Sequence, residues 1–386
     1  YFKSQIKNIE FISSSKLILE NSIRLVQNST KGVQSKDFFN LTRFLDGNSP
    51  INIIIKYNAH KFFKNIFIET PLFPLIGESW SSYDLNLRIE PLAFDGIHFI
   101  NDSIPNNLTF IKDLDPKETF SENIIPQNFK SLLIVPVDDF EILENNFIKY
   151  SRHKNLAIKK IDFKTFNLIN EISWINYMDE NAVFLHLKSD DNINDILYEE
   201  KNFFKEFRDI KIIKKTPPHD FLNFSSNFIK SLDLNFSSKI DDFIVYSESE
   251  NLLKKIISDY KENKSLKQNI NYRTLKSTLA SKSSFLWIGN SKSLKKTWEK
   301  NYIKKEINKF PAEKFPMIAL QGVNDGEILQ IRFTAQKNID NKKIENVSNQ
   351  FSLSVDNPIS IPPKFLFNHL TKKMDITVQD ENNFIY

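Results

Sequence analysis

The sequence contains no cysteine. That removes thiolate zinc sites, iron–sulfur clusters, disulfides and cysteine nucleophiles. Glycine is nearly as scarce, with seven residues in 386. Gly32, Gly47, Gly77, Gly96, Gly289, Gly322 and Gly326 form no GxGxxG, GxxxxGK[ST] or GxSxG pattern. Phosphate-cradling loops and nucleophile elbows need glycine where the backbone turns tightly or approaches a ligand, so both are excluded. Long apolar runs are missing as well. Segments such as Leu132-Leu133-Ile134-Val135-Pro136-Val137 fall far short of the roughly 20 residues that cross a bilayer. No transmembrane segment is expected. The chain opens Tyr-Phe-Lys-Ser without a basic region and apolar stretch, so a signal peptide would lie upstream or have been removed, and a lipid anchor would lie upstream.

What is present is an ordinary soluble composition, 40% hydrophobic and 26% charged, in a length that suits two or three domains. The lack of thiols suits an oxidising compartment, which favours export, while an AT-rich codon bias toward Lys, Ile, Asn and Phe would deplete cysteine as well. Net charge is only +4, but it is unevenly spread. Residues 251–310 carry 15 basic against 4 acidic residues, whereas 171–200 carry 8 acids against Lys188 alone. The first stretch also holds Tyr272, Phe285, Trp287, Trp298 and Tyr302. Lysines interleaved with aromatics can bind single-stranded nucleic acid. Here the lysines fall at solvent-facing helical spacing and Trp287 falls in an apolar strand, so solvated helix faces are expected and no nucleic-acid partner is assigned.

The strongest pattern is an internal repeat. Phe11-Ile12-Ser13-Ser14-Ser15 followed by Leu19, Ile23 and Val26 parallels Phe243 to Ser249 followed by Leu253, Ile256, Ile257 and Tyr260. Each reads as strand, serine-rich cap and helix. The offset begins at 232 and settles at 234, then runs through Phe38/Tyr272, Leu41/Leu275, Leu45/Leu279, Ser49/Ser283, Ile51/Phe285 and Ile53/Trp287. It returns at Phe94/Ile328, Ile97/Ile331 and Phe99/Phe333. The domains expected are a first repeat at 1–125, a second at 126–340 and a connector with further strands at 341–386. The first repeat lacks a counterpart of residues 131–242, which predicts roughly 100 residues ahead of Tyr1.

Short β-rich runs at Ile51–Tyr57, Ser131–Val137, Ala182–Lys188, Phe243–Tyr246 and Phe285–Ile288 each precede a turn or cap and an amphipathic helix. Hairpins are expected around Glu90-Pro91, Asp179-Glu180-Asn181 and Asn324-Asp325-Gly326. Hairpins mixed with strand–helix units argue an α+β fold, antiparallel sheets faced by helices. Toward the end, Pro358 and Pro362-Pro363 mark breaks, and residues 374–386 read as strand, polar turn and strand. A sheet stopping there leaves an unpaired edge, so the chain is expected to continue.

FISSSKLILENSIR (11–24), SWSSYDLNLRIEPLAFDGIHFINDS (79–103), INEISWINYMDENAVFLHL (169–187), FIVYSESENLLKKII (243–257) and DITVQDENNFIY (375–386) together resemble exported Bacteroidota proteins with a large α+β region of unknown function. The resemblance covers most of residues 10–386. It implies a following β-propeller of the pyrroloquinoline-quinone-repeat type, of which the last residues would be the opening strands. It implies no catalytic residues.

Candidate sites are few. His60, His98, His153, His186, His219 and His369 form no HxH, HxxxH or HExxH pair, so no metal site is assigned. Asp138-Asp139, Asp190-Asp191 and Asp241-Asp242 offer carboxylate pairs of the kind glycosidases use, yet each stands where a cap or turn wants a carboxylate. Asn324-Asp325-Gly326 reads as a turn, not a calcium loop. Asp102-Ser103-Ile104 resembles the short motif at which Bacteroidota glycosylate exported proteins, making Ser103 a candidate O-glycosylation site. The function expected is a non-enzymatic scaffold or accessory subunit of the cell envelope, periplasmic or outer-membrane-associated, with envelope proteins as partners and no cofactor. The alternative is a carbohydrate-binding or glycan-hydrolysing protein with a carboxylate pair and exposed Trp80 or Trp174 in a groove.

Overall fold

The computed structural model describes residues 1–6, 8–28, 36–56, 80–86, 92–100, 107–153, 155, 167–188, 203–225, 233–301, 308–309, 311–338, 357–371 and 373–386. The chain divides into two compact units, Tyr1–Asn338 and Ile339–Tyr386.

In the first unit the chain runs β1 (Phe2–Ile6), β2 (Ile9–Ser13), α1 (Lys16–Gln27), α2 (Lys36–Thr42), β3 (Ile51–Lys56), β4 (Trp80–Asn86), β5 (Leu92–Phe99), β6 (Ser131–Pro136), α3 (Phe140–His153), β7 (Ile169–Tyr177) and β8 (Glu180–Leu187). It continues with β9 (Phe203–Phe207), β10 (Ile210–Ile213), α4 (His219–Ser225), β11 (Phe236–Ile240), β12 (Phe243–Ser247), α5 (Glu250–Lys261), α6 (Ile270–Lys276), β13 (Phe285–Asn290), α7 (Ser291–Asn301), β14 (Met317–Asp325) and β15 (Ile328–Gln336). Thirteen of these strands form one open sheet in the order β3-β4-β5-β15-β14-β13-β6-β7-β8-β12-β11-β10-β9, antiparallel throughout. The α+β class with antiparallel sheets is therefore present. Repeats 1–125 and 126–340 do not make separate sheets; they share this one.

Strand alternation sends successive side chains to opposite faces, and the core is accordingly double. On one face Trp174, Val183, Leu185, Tyr246, Trp287 and Leu320 pack under α3, α4 and α7 through Phe140, Phe147, Phe224, Leu294 and Trp298. On the other, Leu132, Ile134, Phe184, Val245, Leu286 and Ile288 pack under α5 and α6 through Leu253, Ile256, Ile257, Tyr272 and Leu275. Full burial of each large apolar side chain contributes about 1.5–3 kcal/mol.

The repeat is visible element by element. β1, β2, α1, α2 and β3 reappear as β11, β12, α5, α6 and β13, each shifted by 234 at both ends. Ser15 caps α1 by accepting the Ile18 N–H at 3.5 Å, and Ser249 caps α5 by accepting the Leu252 N–H at 3.1 Å. The initial offset of 232 is thus corrected to 234. The later matches also shift. Asp95 and Arg332 face each other across the β5–β15 pair, 237 apart, and the two-fold relation of the halves passes between them. An offset of 234 there would set Phe94 against a residue on the opposite face of the sheet. The extra three arise before the final hairpin, since Lys56 to Trp80 spans 24 positions and Asn290 to Met317 spans 27.

Turn chemistry follows the hairpins with one displacement. The β7–β8 turn uses Met178 (φ 49°) and Asp179 (φ 71°), one residue before the expected Asp179-Glu180-Asn181. Two consecutive positive φ values match the right-handed strand twist. Gly326, at φ 65°, supplies the same backbone region between β14 and β15.

The second unit contains β16 (Ile359–Asn368) and β17 (Lys373–Asp380), paired antiparallel. The expected break at Pro362-Pro363 lies inside β16. There the register skips between Ile361 and Lys364, which accommodates residues without an N–H donor. Tyr386 exchanges backbone hydrogen bonds with Val378 at 3.2 and 2.9 Å, so the last residues fold back on β17. This is a two-stranded sheet with one bridge. The expected propeller is not seen among the described residues, nor is any closed sheet.

Candidate functional site

The residues singled out from sequence do not converge. His60, Asp190-Asp191 and Ser103 lie outside the described residues. His153 ends α3, His369 is exposed in the β16–β17 turn, and His219 opens α4. No group of three or more His, Asp or Glu placed to hold a metal occurs among the described residues. Asp139 accepts the Glu141 N–H at 2.8 Å as a cap, and Asp138 stands 4.0 Å from Lys117 Nζ. Asp241 occupies the β11–β12 turn at φ 47° and accepts the Tyr260 hydroxyl. Trp174 corrects the groove expectation. It is fully buried, between Leu133 of β6 and Val183 of β8 at mid-sheet, because its strand has a neighbour on each side and its face is covered by α3 and α4. Trp80 is half-buried against Phe38, ring centroids 5.1 Å apart. Several lysines of the basic stretch are paired on helix faces, Lys254 to Glu250 at 2.6 Å and Lys255 to Asp259 at 2.7 Å.

One buried carboxylate was not flagged by spacing. Glu171 on β7 accepts the Phe120 and Ser121 N–H groups at 2.8 Å each, along with the Ser121 hydroxyl, and Ser173 Oγ lies 3.3 Å away. Burial pushes its carboxyl above the ordinary range, while the hydrogen bonds from Ser121 and Phe120 oppose that rise. His186, paired opposite on β8, stacks on the Phe120 ring at 4.6 Å. With every strong donor directed at one side chain, this is a latch that fixes the turn at Ser121–Asn123 onto the sheet.

Two features remain. The first is an unequal pair of edges. In the second half, β13 lies against β6 and β12 lies against β8. Their counterparts β3 and β2 have no such neighbour among the described residues. Ile51 is 45% exposed where its counterpart Phe285 is 1% exposed, and Ile12 is 65% exposed where Tyr246 is 0% exposed. Leu17, Ile18, Leu25, Phe39 and Phe44 are exposed on the same half.

The second is a cavity of about 490 Å³ over the two-fold, on the α2 and α6 face. Its floor is two neighbouring rungs of the sheet, Ser82·Ile97·Gln330·Val323 and Asp84·Asp95·Arg332·Gln321, read across β4, β5, β15 and β14. Phe44, just past α2, and Thr278 to Ala280, just past α6, form its walls. Arg332 Nη1 donates to Asp95 Oδ1 at 2.9 Å. Burial raises the Asp95 carboxyl above its usual range, Arg332 opposes this, and Asp84 adds to it. The hairpin expected around Glu90-Pro91 puts Asp84 and Asp95 on adjacent strands, two positions out of the register found; nothing local could bring Arg332 to them.

The chain matches no protein-family model, no curated protein and no solved structure. No helix among the described residues is long and apolar enough to cross a membrane.

Proposed function

We propose that the protein is a non-enzymatic interaction scaffold of the cell envelope that completes its sheet with a partner polypeptide. The observation that carries this is the inequality of equivalent edges: among the described residues β3 and β2 have no outer neighbour and expose Ile51 and Ile12, where β13 and β12 are covered by β6 and β8. An open edge with exposed apolar side chains is a template for strand addition, in which main-chain hydrogen bonds supply affinity and alternate side chains supply selectivity. The internal copy displays the chemistry of a fitting partner: β6, Ser-Leu-Leu-Ile-Val-Pro, is buried along its whole length.

The envelope location rests on the absence of thiols and on the resemblance to exported proteins. The β16–β17 hairpin with its folded-back end supports reading 341–386 as the opening of a propeller. Crosslinked affinity purification from native membranes tests the scaffold. An envelope protein is expected with the wild-type chain and is lost with the double variant Ile12→Lys, Ile51→Lys. Recovery only as a soluble monomer, or equal recovery with the variant, overturns it.

A further inference from the structure

Gaps between sheet and helices in a well-packed protein are small, and the one over the Asp95–Arg332 pair is not. Its volume of about 490 Å³ lies within the roughly 300–1,000 Å³ typical of small-molecule sites. The outer members of its polar rung are already engaged. Asp84 accepts the Asp46 N–H at 3.0 Å and the Asn52 amide at 2.6 Å, and Gln321 is bonded to Ala280 in both directions at 2.8 Å. The inner members are not saturated. Arg332 uses one N–H on Asp95, and its Nε, though buried, has no partner among the described residues. Gln330, exposed on the next rung, brings an amide that both donates and accepts.

The mixture of groups defines the ligand. Two aspartates and one arginine give no single-sign field, so a phosphorylated or polycationic ligand is disfavoured. A carboxylate oxygen beside an unused guanidinium N–H suits a group that donates and accepts at adjacent atoms. Neighbouring hydroxyls on a ring do this, one giving its proton to Asp95 while its neighbour accepts from a terminal N–H of Arg332, whose side chain is 34% exposed. Phe44, 46% exposed at the rim, offers a flat apolar face to ring C–H groups. We propose that this cavity binds a neutral saccharide unit, with Asp95, Arg332 and Gln330 on its hydroxyls and Phe44 against its face. The proposal rests on the cavity's own residues and does not depend on the scaffold reading.

Saturation-transfer NMR on the full chain tests it with the methyl glycosides of glucose, galactose, mannose and N-acetylglucosamine as probes and an alanine dipeptide amide as an acyclic amide control. At least one glycoside is expected to bind. Asp95→Asn removes the acceptor charge, and Gln330→Trp fills the cavity from an exposed position that folding does not depend on. Each should weaken binding by about tenfold or more, a loss of one strong contact. Ile12→Lys should leave binding unchanged. Failure of all four glycosides, binding of the dipeptide amide alone, or glycoside binding unaltered in Gln330→Trp would each overturn the proposal.

Discussion

Asp84 and Gln321 do the same work on the two sides of a two-fold: Asp84 Oδ2 accepts the Asp46 N–H at 3.0 Å, and Gln321 Oε1 accepts the Ala280 N–H at 2.8 Å. They are 237 apart and the loops they hold are 234 apart, the two offsets of the repeat. Different side chains thus fasten equivalent loops to equivalent strands. The relation is geometric where residue identity has been lost.

The two pins differ in burial, and their removal should differ in cost. Gln321 is buried and also donates to the buried Ser283 Oγ at 2.8 Å, so Gln321→Ala releases the Ala280 loop and deprives the Ser283 hydroxyl of that donor. A loss of about 2 kcal/mol is expected, since a buried polar group left unpaired costs about 1–3 kcal/mol. Asp84 is half-exposed, water can replace it, and Asp84→Ala should cost about 1 kcal/mol. Urea unfolding of both variants measures the difference; equal losses would mean the loops are not held in this way.

Gly96 on β5 leaves no room for a side chain against β4. A Cβ there would stand 2.2 Å from the Ser82 carbonyl oxygen, a backbone atom that cannot swing aside. Gly96→Ala should cost about 2 kcal/mol, in the range of overpacked cores. Gly47 has nothing within 4 Å of the corresponding position, and Gly47→Ala should raise stability by about 0.5 kcal/mol by restricting the unfolded chain. Thermal unfolding of the pair decides it, and a neutral Gly96→Ala would refute the close approach.

What the sequence disclosed and what it hid divide along one physical line. Caps, turns and helix faces are local, so Ser249, Asp139, Gly326 and the spacing of Leu253, Ile256 and Ile257 were readable. Strand order is not local. The chain's two halves abut through β5 and β15, so Asp95 meets Arg332 across 237 positions, and no pattern within either strand records that. Trp174 shows the same limit: its strand alternates like an amphipathic one, yet neighbours on both sides and helices above bury it. The three-residue shift in the last hairpin escaped because these strands carry apolar residues on both faces, Phe94 on one and Ile97 and Phe99 on the other, so apolar residues still align after an odd shift that reverses the faces.

His98 should give stability a pH dependence of defined sign. It is fully buried on β5, its Nδ1 is 2.7 Å from Ser81 Oγ, and its Nε2 has no partner among the described residues. Burial disfavours the imidazolium and lowers its pKa from 6.5 to about 4. The unfolded chain therefore binds the proton first. The associated stability is complete above pH 6.5 and is lost as the pH falls from there through about 4. At 1.36 kcal/mol per unit the loss is roughly 3 kcal/mol. His98→Leu should flatten this part of the profile. His186, also lowered by burial but opposed by Asp242, should leave a smaller residual slope. Urea midpoints at pH 7 and pH 4.5 compare the two proteins, and parallel profiles would exclude His98 as the source.

The open edge predicts unequal amide exchange in equivalent strands. Every other N–H of β3 points away from β4 and finds no strand there among the described residues, whereas β13 is bonded to β14 on one side and to β6 on the other. Those outer β3 amides should exchange at least about 100-fold faster than amides at matching positions of β13, since their opening does not require the sheet to come apart. Adding a strand-donating partner should slow the outer β3 amides and leave β13 as it was. Ile51→Lys, which places a charge on the edge where half of an apolar side chain is exposed, should abolish that slowing without lowering the melting temperature of the isolated chain. Hydrogen–deuterium exchange with and without the captured partner reads all three responses. Protection of the outer β3 amides in the isolated chain would show that its edge is already covered and that strand addition occurs elsewhere.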